Sequence, residues 1–221
     1  PKKAIFISDL HLRSSDEPNA KLFMQLLDHL QRVPCTHLFL LGDVFDLWIA
    51  NHKYFVSRFS PIIEKLEVLK RSGVAIHYFE GNHDLDLRPF FEKRLDFIVH
   101  ENPHIEDFDG VRVRIEHGDQ MDPGDRDYLF LRWFLRTPVM RLIGRLLPGP
   151  IVNWIGEMAS RKSRSYTTGV RDGLTKAGVE RKLLRHASLV FQQSPFHILI
   201  AGHVHQVMDR SLEDGQSVRV I

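Results

Sequence analysis

Five short apolar runs punctuate this chain, and each runs at its C-terminal end straight into residues that can ligate metals. The runs are Ala4–Ser8, His37–Leu41, Val74–Phe79, Val111–Glu116 and Phe196–Ala201. Their length and their polar boundaries predict buried β-strands. The polar ends read Asp9-Leu10-His11, Gly42-Asp43, Gly81-Asn82-His83-Asp84, His117-Gly118-Asp119 and Gly202-His203-Val204-His205. Helical periodicity separates the first three strands, over Asn19–Arg32 (apolar at Leu22, Phe23, Leu26, Leu27 and Leu30) and over roughly Tyr54–Arg71. Strand–helix–strand alternation implies an α/β fold, in which ligands sit beyond the carboxyl ends of the strands. All five polar clusters fall at such ends.

Composition narrows the setting. With 221 residues, 43% hydrophobic and 26% charged, the chain suits a single globular domain over residues 1–221. Its one cysteine, Cys35, excludes an internally disulfide-stapled scaffold and points to a reducing compartment. The first apolar run is too short for a signal peptide, and no stretch has the apolar length of a membrane span. The expected location is therefore cytoplasmic.

The net charge of +2 is unevenly spread. From Arg132 to Arg185 there are twelve Lys/Arg and three Asp/Glu, so a basic segment is inserted into an acidic body. Over about residues 128–186, apolar pairs such as Val139-Met140, Leu142-Ile143 and Leu146-Leu147 recur at helical spacing beside Arg132, Arg136, Arg141 and Arg145. This predicts a helical insertion between the fourth and fifth strands, lying as a lid over the strand ends.

The strand ends together supply Asp9, His11, Asp43, Asn82, His117, His203 and His205. Carboxylate, imidazole and amide oxygen form a mixed donor set suited to Mn²⁺, Fe²⁺ or Zn²⁺. Seven donors exceed one ion with an open position. They fit two ions sharing a carboxylate, the arrangement that clamps both oxygens of a phosphoryl transfer. Any one histidine alone would be read as structural, as His29, His37, His77 and His197 are. Five clusters in order at successive strand ends are not an accident of composition. His83, next to Asn82, is placed to act as a general acid, with Asp84 either orienting it or closing the turn.

This ordered set resembles the calcineurin-like metallophosphoesterases from Ala4 to His205. The resemblance implies a four-layer α-β-β-α sandwich. It also implies one metal on Asp9, His11 and His205, a second on Asn82, His117 and His203, and Asp43 bridging them. Manganese is the expected ion, and the nucleophile would be a water or hydroxide whose pKa the metals lower. Within the superfamily, Gly42-Asp43-Val44-Phe45-Asp46-Leu47-Trp48 and His117-Gly118-Asp119 with Asp125, Tyr128 and Arg132 are similar to the UDP-2,3-diacylglucosamine hydrolases. Those enzymes cleave the pyrophosphate of a lipid A precursor to UMP and a lipid monophosphate. By that resemblance Asp125 and Tyr128 would face the glucosamine, while Ser163 and Arg164 would approach the diphosphate or sugar. An apolar, basic lid suits acyl chains, a diphosphate and an anionic bilayer, so peripheral contact with the inner face of the membrane is expected.

One position departs from that subfamily, whose best-known members carry Arg where this chain has His83. An acid histidine helps most with a poor, alkoxide-like leaving group, which keeps ordinary phosphodiester or phosphomonoester hydrolysis in view. A nuclease would use the basic segment against a phosphate backbone, but the interleaved Trp, Leu and Ile suit lipid better, and no nucleic-acid partner is expected. A non-catalytic scaffold on this fold would be expected to have lost ligands, and here all seven are present. The chain lacks the Walker-type loop and the Gly-x-Ser-x-Gly elbow, which leaves NTPase and serine-hydrolase chemistry unsupported.

Overall fold

A computed structural model describes residues 2–156, 158, 176–205, 207–211 and 217–221. Two sheets lie face to face. The first has strand order β1 (Ala4–Ile7), β2 (His37–Leu40), β4 (Ala75–Phe79), β6 (Ile98–His100), all parallel. The second runs β10 (Met208–Ser211), β11 (Ser217–Val220), β9 (Ile198–Ala201), β8 (Val111–Glu116), β7 (His104–Phe108). Its β11, β9 and β8 are parallel, and its outer strands pair antiparallel. A two-residue pair, β3 (Trp48–Ile49) with β5 (Asp84–Leu85), forms a third, small ladder.

Alternation along the strands builds the layers, because successive side chains point to opposite faces. In β2, Leu38 and Leu40 enter the outer core, whereas Phe39 and the following Leu41 enter the core between the sheets. Phe79, Val113, Ile115 and Ile200 complete that inner core. Helices α1 (Pro18–Leu30) and α3 (Ser60–Arg71) cover the first sheet through Phe23, Leu27, Leu30, Ile62, Ile63, Leu66 and Leu69. Leu22 of the apolar repeat faces out instead, 66% exposed. The single helix expected over roughly Tyr54–Arg71 is two, α2 (Lys53–Arg58) and α3, divided at Phe59. Pro61 follows this break, and its ring and missing N–H cannot continue the preceding turn.

Between β8 and β9 the chain inserts α4 (Arg126–Leu135), α5 (Pro138–Leu146), α6 (residues 149–156) and α7 (Lys176–Gln193). Helix α7 covers the second sheet with Leu183, Ala187 and Val190 against Leu199 and Val218, completing four layers, α-β-β-α. Among the described residues no helix is long and apolar enough to cross a membrane.

Candidate metal centre

The C-terminal ends of β1, β2, β4, β8 and β9 converge, and the backbone there is unusual. Asp9, His11, Asp43, His203 and His205 all adopt φ between +46° and +71°. Non-glycine residues rarely occupy this region, and such conformations cluster where surrounding structure enforces them for function. Gly42, at φ +93°, is required for a second reason. A Cβ there would lie 2.6 Å from His117 Nδ1. A Cβ on Gly81 would collide with Asp43 Oδ1, so the loops close directly onto the carboxylate.

Two groups of donors result. Asp9, His11 and His205 bring ligand atoms within 4.8 Å of one another, as do Asp43, His117 and His203. Asp43 Oδ2 joins them, 3.9 Å from His11 Nε2 and 3.6 Å from His117 Nε2. Asn82 Oδ1 lies 3.2 Å from His117 Nε2, on the second side. The structure thus brings together all seven donors that the sequence singled out.

Both carboxylates are held from behind. Asp9 Oδ2 accepts from Ser8 Oγ and, at 2.7 Å, from the His203 amide, while Asp43 Oδ1 accepts from the His83 amide at 2.9 Å. Each turns its other oxygen inward. His117 Nδ1 donates to the Leu41 carbonyl at 2.7 Å, which leaves Nε2 unprotonated in the neutral ring and aimed at the centre. Burial works against a charged His117 ring, but Asp43, Asp119 and Asp9 outweigh it and raise its pKa, so the site attracts positive charge. Burial opposes the charge on Asp43, but His117, His83 and His11 outweigh it and hold the carboxyl below its usual range. Burial, reinforced by the neighbouring His117, pushes His203 down to about 4, favouring the neutral ring.

A cation fits this arrangement. Asp9 Oδ1 is buried next to His11 and His205 and has no hydrogen-bond partner among the described residues. An orphaned buried carboxylate oxygen is costly, and a metal ion would satisfy it. Mixed carboxylate, imidazole and amide donors are those of a borderline divalent ion.

His83 sits beside this centre with its ring 4.8 Å from that of His11. The sequence leaves Asp84 either to orient it or to close the turn, and the orienting contact is made elsewhere. His83 Nδ1 donates to the Asp46 carbonyl at 2.7 Å. Asp84 is fully buried and turned away. Its Oδ2 accepts from the amides of Asp43 and Gly81, and its Oδ1 accepts from Tyr78 Oη. Burial and the nearby Asp43 charge raise its pKa to about 8. Asp84 therefore acts through Asp43, as a brace for its loop. In the sequence Asp46 stands out only as part of the Gly42–Trp48 signature. A carboxylate oxygen of Asp46 lies within 4.8 Å of ring nitrogens of both His11 and His83.

The residues expected at the sugar end are tied to the protein. Asp125 is exposed and caps α4, accepting from the Tyr128 amide. Tyr128 Oη and Arg132 Nε both donate to Asp119 Oδ2, at 2.6 and 2.7 Å. Ser163 and Arg164 lie outside the described residues. The arginine stripe faces inward. Arg136 donates to the Gly81 carbonyl at 2.8 Å and approaches buried Glu80, while Arg141 and Arg145 meet Asp86. The apolar stripe is what faces outward, with Trp133, Leu146 and Trp154 at 62%, 75% and 59% exposure. These four arginines thus face the strand ends, where a substrate would lie, and not outward toward a bilayer.

The sequence profile of the calcineurin-like phosphoesterases matches residues 2–207. The chain belongs to that family. As a calcineurin-like phosphoesterase it is a metal-dependent hydrolase of phosphate esters or anhydrides. A UDP-2,3-diacylglucosamine hydrolase of Pseudomonas fluorescens Pf-5 is 28% identical to it, over 96% of this chain and 82% of that protein. One from Pseudomonas aeruginosa PAO1 is also 28% identical, over 98% and 88%. Among solved structures, Vacuolar Protein Sorting 29 from Cryptosporidium parvum shares the fold at 13% identity, with a TM-score of 0.50 over 99% of this chain and 72% of that one.

Proposed function

We propose that this phosphoesterase uses two divalent metal ions to hydrolyse the pyrophosphate bond of UDP-2,3-diacylglucosamine, or a close relative, to UMP and 2,3-diacylglucosamine 1-phosphate. The observation that carries the chemistry is the placement of Asp43 Oδ2 between two histidine groups, 3.9 Å from His11 Nε2 and 3.6 Å from His117 Nε2. Asp9, His11 and His205 would hold one ion, and Asn82, His117 and His203 the other, with Asp43 shared. Manganese is the ion we favour. Bound there, such ions supply Lewis acidity toward phosphoryl oxygens and lower the pKa of water.

The protein's own groups do the rest. Ser8, the His203 amide and the His83 amide fix the two carboxylates, and the Leu41 carbonyl fixes the His117 tautomer. With Nδ1–H committed to the Asp46 carbonyl, His83 has only Nε2 with which to take or give a proton. Protonated at Nε2, it would donate to a leaving oxygen. Helices α4–α6 form the lid of this reading, and their outward apolar side supports peripheral contact with a membrane at its cytoplasmic face. The substrate is supported by the names of the relatives that match nearly the whole chain.

The anchored His83 favours a second reading, hydrolysis of an ordinary phosphodiester or monoester whose leaving group needs a proton. One experiment separates them. The Mn²⁺-loaded protein is incubated with UDP-2,3-diacylglucosamine, and products are read by mass spectrometry against an Asp43→Ala control. UMP and lipid monophosphate formed only by the unaltered protein support the first reading. Cleavage of bis-p-nitrophenyl phosphate without turnover of the sugar nucleotide supports the second.

A further inference from the structure

The loop that carries Asn82 takes one of its supports from the inserted helices. Its other main-chain contacts come from the body of the protein. The Glu80 amide donates to the His100 carbonyl, the Gly81 amide to Asp84 and the His83 amide to Asp43. The His83 carbonyl accepts from the Trp48 amide. The Gly81 carbonyl differs. It accepts from Arg136 Nη2 at 2.8 Å, and Arg136 stands at the C-cap of α4.

This carbonyl belongs to the planar peptide unit that ends at the Asn82 nitrogen. Holding its oxygen therefore sets the plane from which the Asn82 side chain projects. Gly81 has no side chain to do this, since a Cβ there would collide with Asp43 Oδ1. With its N–H on Asp84 and its C=O on Arg136, Gly81 is fixed by the body and by the insertion together. Arg136 suits the task. Its side chain is 11% exposed, and Glu80, 3.4 Å away, offsets a positive charge that would otherwise repel a nearby metal ion. The carbonyl contact is the shorter of the two, and a charged donor makes it a strong one. Among the described residues the rest of the stripe, Arg132, Arg141 and Arg145, meets side-chain carboxylates instead.

Resting on the two-ion reading, we propose that Arg136 is a positioning residue for the ion on the Asn82 side. It orients Asn82 through the Gly81 carbonyl, so the insertion helps to build the metal centre. The test is calorimetric titration of Mn²⁺ into the metal-free protein, with thermal melts to confirm folding. The unaltered protein should bind two ions. Arg136→Ala should weaken one of them by roughly 10–100-fold, as for groups that orient ligands, and leave the other nearly unchanged. Arg136→Met, which keeps the apolar stem and loses the donor, should behave alike. Glu80→Gln removes the charge pair but keeps the carbonyl contact, and should leave both affinities nearly unchanged. Asn82→Ala should lower the same affinity as Arg136→Ala. Combining the two should cost nothing more, because no oriented ligand is left to lose. Mn²⁺ binding unmoved by both Arg136 variants, an equal loss in Glu80→Gln, or additive losses with Asn82→Ala would overturn the proposal. An unaltered protein that binds fewer than two ions would sink the two-ion reading and the proposal with it. Two bound ions whose affinities ignore Arg136 would sink the proposal alone.

Discussion

The strand-end loops and the inserted helices carry similar mixtures of polar and apolar residues, and they use them in opposite ways. At the strand ends the polar groups point into the molecule and are fixed by backbone amides. Asp9 and Asp43 each spend one oxygen on a main-chain N–H, and five candidate donors sit at positive φ. Such conformations persist only where packing over-determines them. In α4 and α5 no residue is fully buried, and the apolar side chains are the ones left outside. What ties these helices to the body includes the pairing of Arg132, Arg136, Arg141 and Arg145 with Asp119, Glu80 and Asp86. One region is held by a backbone locked at unusual φ and by main-chain hydrogen bonds. The other is attached in good part by charge, which substitution and salt can weaken.

The sharpest way to break this comparison is to remove the shared carboxylate and then its brace. Asp43→Ala should abolish turnover and empty both metal positions, read by metal analysis of the purified protein. Retained turnover with two bound ions would overturn the bridging role. Asp84→Ala touches no ion in this reading, but it orphans the buried amides of Asp43 and Gly81 and the Tyr78 hydroxyl. Each unmet group costs about 1–3 kcal/mol. Metal affinity should fall by roughly 10–100-fold, as for partners that orient ligands. A thermal melt and a metal titration of Asp84→Ala measure the two effects separately.

These contrasts were unequally legible in the sequence. The strands bearing the site could be read because a buried strand is a run of apolar residues and its end is marked by Asp, Asn or His. Ala75–Phe79 and Val111–Glu116 lie where the runs predict them. Strands β7 and β10 were missed, since partly exposed edge strands such as Met208–Ser211 carry no apolar run. In the insertion, periodicity announced helices but not their rotation. The stripe that faces inward is decided by Glu80, Asp86 and Asp119, which arrive from distant parts of the chain. His83 was found from its neighbours, but its anchor is a main-chain carbonyl, which no residue type signals.

A smaller effect is expected at the attachment of the insertion. Arg136→Ala leaves Glu80, 3% exposed, without its cation. Burial already raises the Glu80 pKa, so the orphaned carboxyl can take a proton and soften the loss. The variant should lose about 1–3 kcal/mol. Adding Glu80→Gln should recover part of it, because the unpaired buried charge is then gone. Additive losses in a double-mutant cycle would mean that the pair does not couple the insertion to the Gly81 loop.

The inter-sheet layer offers a test by pH. His77 and His100, from β4 and β6, stack at 5.3 Å and share a hydrogen bond of 3.0 Å, with His37, His104, Glu106 and Lys2 nearby. Burial first, then neighbouring histidines, lowers His77 to about 4 and His100 to about 3. The unfolded chain therefore binds more protons than the folded one between the ordinary histidine value and these lowered ones. Stability from this column is complete above pH ~6.5 and is lost as the pH falls toward 4 and then 3. His77→Phe should flatten that acid limb in denaturant titrations across pH, leaving the neutral-pH midpoint little changed. An acid limb of unchanged slope would remove the column as its cause.

The smallest effect on folding, and the clearest on the comparison, belongs to the outward face of the insertion. Trp133→Gln and Trp154→Gln alter side chains that are 62% and 59% exposed, so stability should move by no more than about 0.5 kcal/mol. Association with lipid should respond far more. Withdrawing one such side chain from an apolar layer costs about 1.5–3 kcal/mol, roughly a 10–100-fold change in partition. Because the stripe arginines are committed to carboxylates of the body, this binding should depend weakly on charge. Sedimentation with neutral phosphatidylcholine vesicles should persist when ionic strength is raised by roughly tenfold, which shrinks the reach of surface charge to about 3 Å. Binding confined to anionic vesicles and abolished by salt would return the arginines to the membrane side. It would also require the insertion to rotate, since an arginine held against Asp86 or Asp119 cannot meet a lipid headgroup without first leaving it.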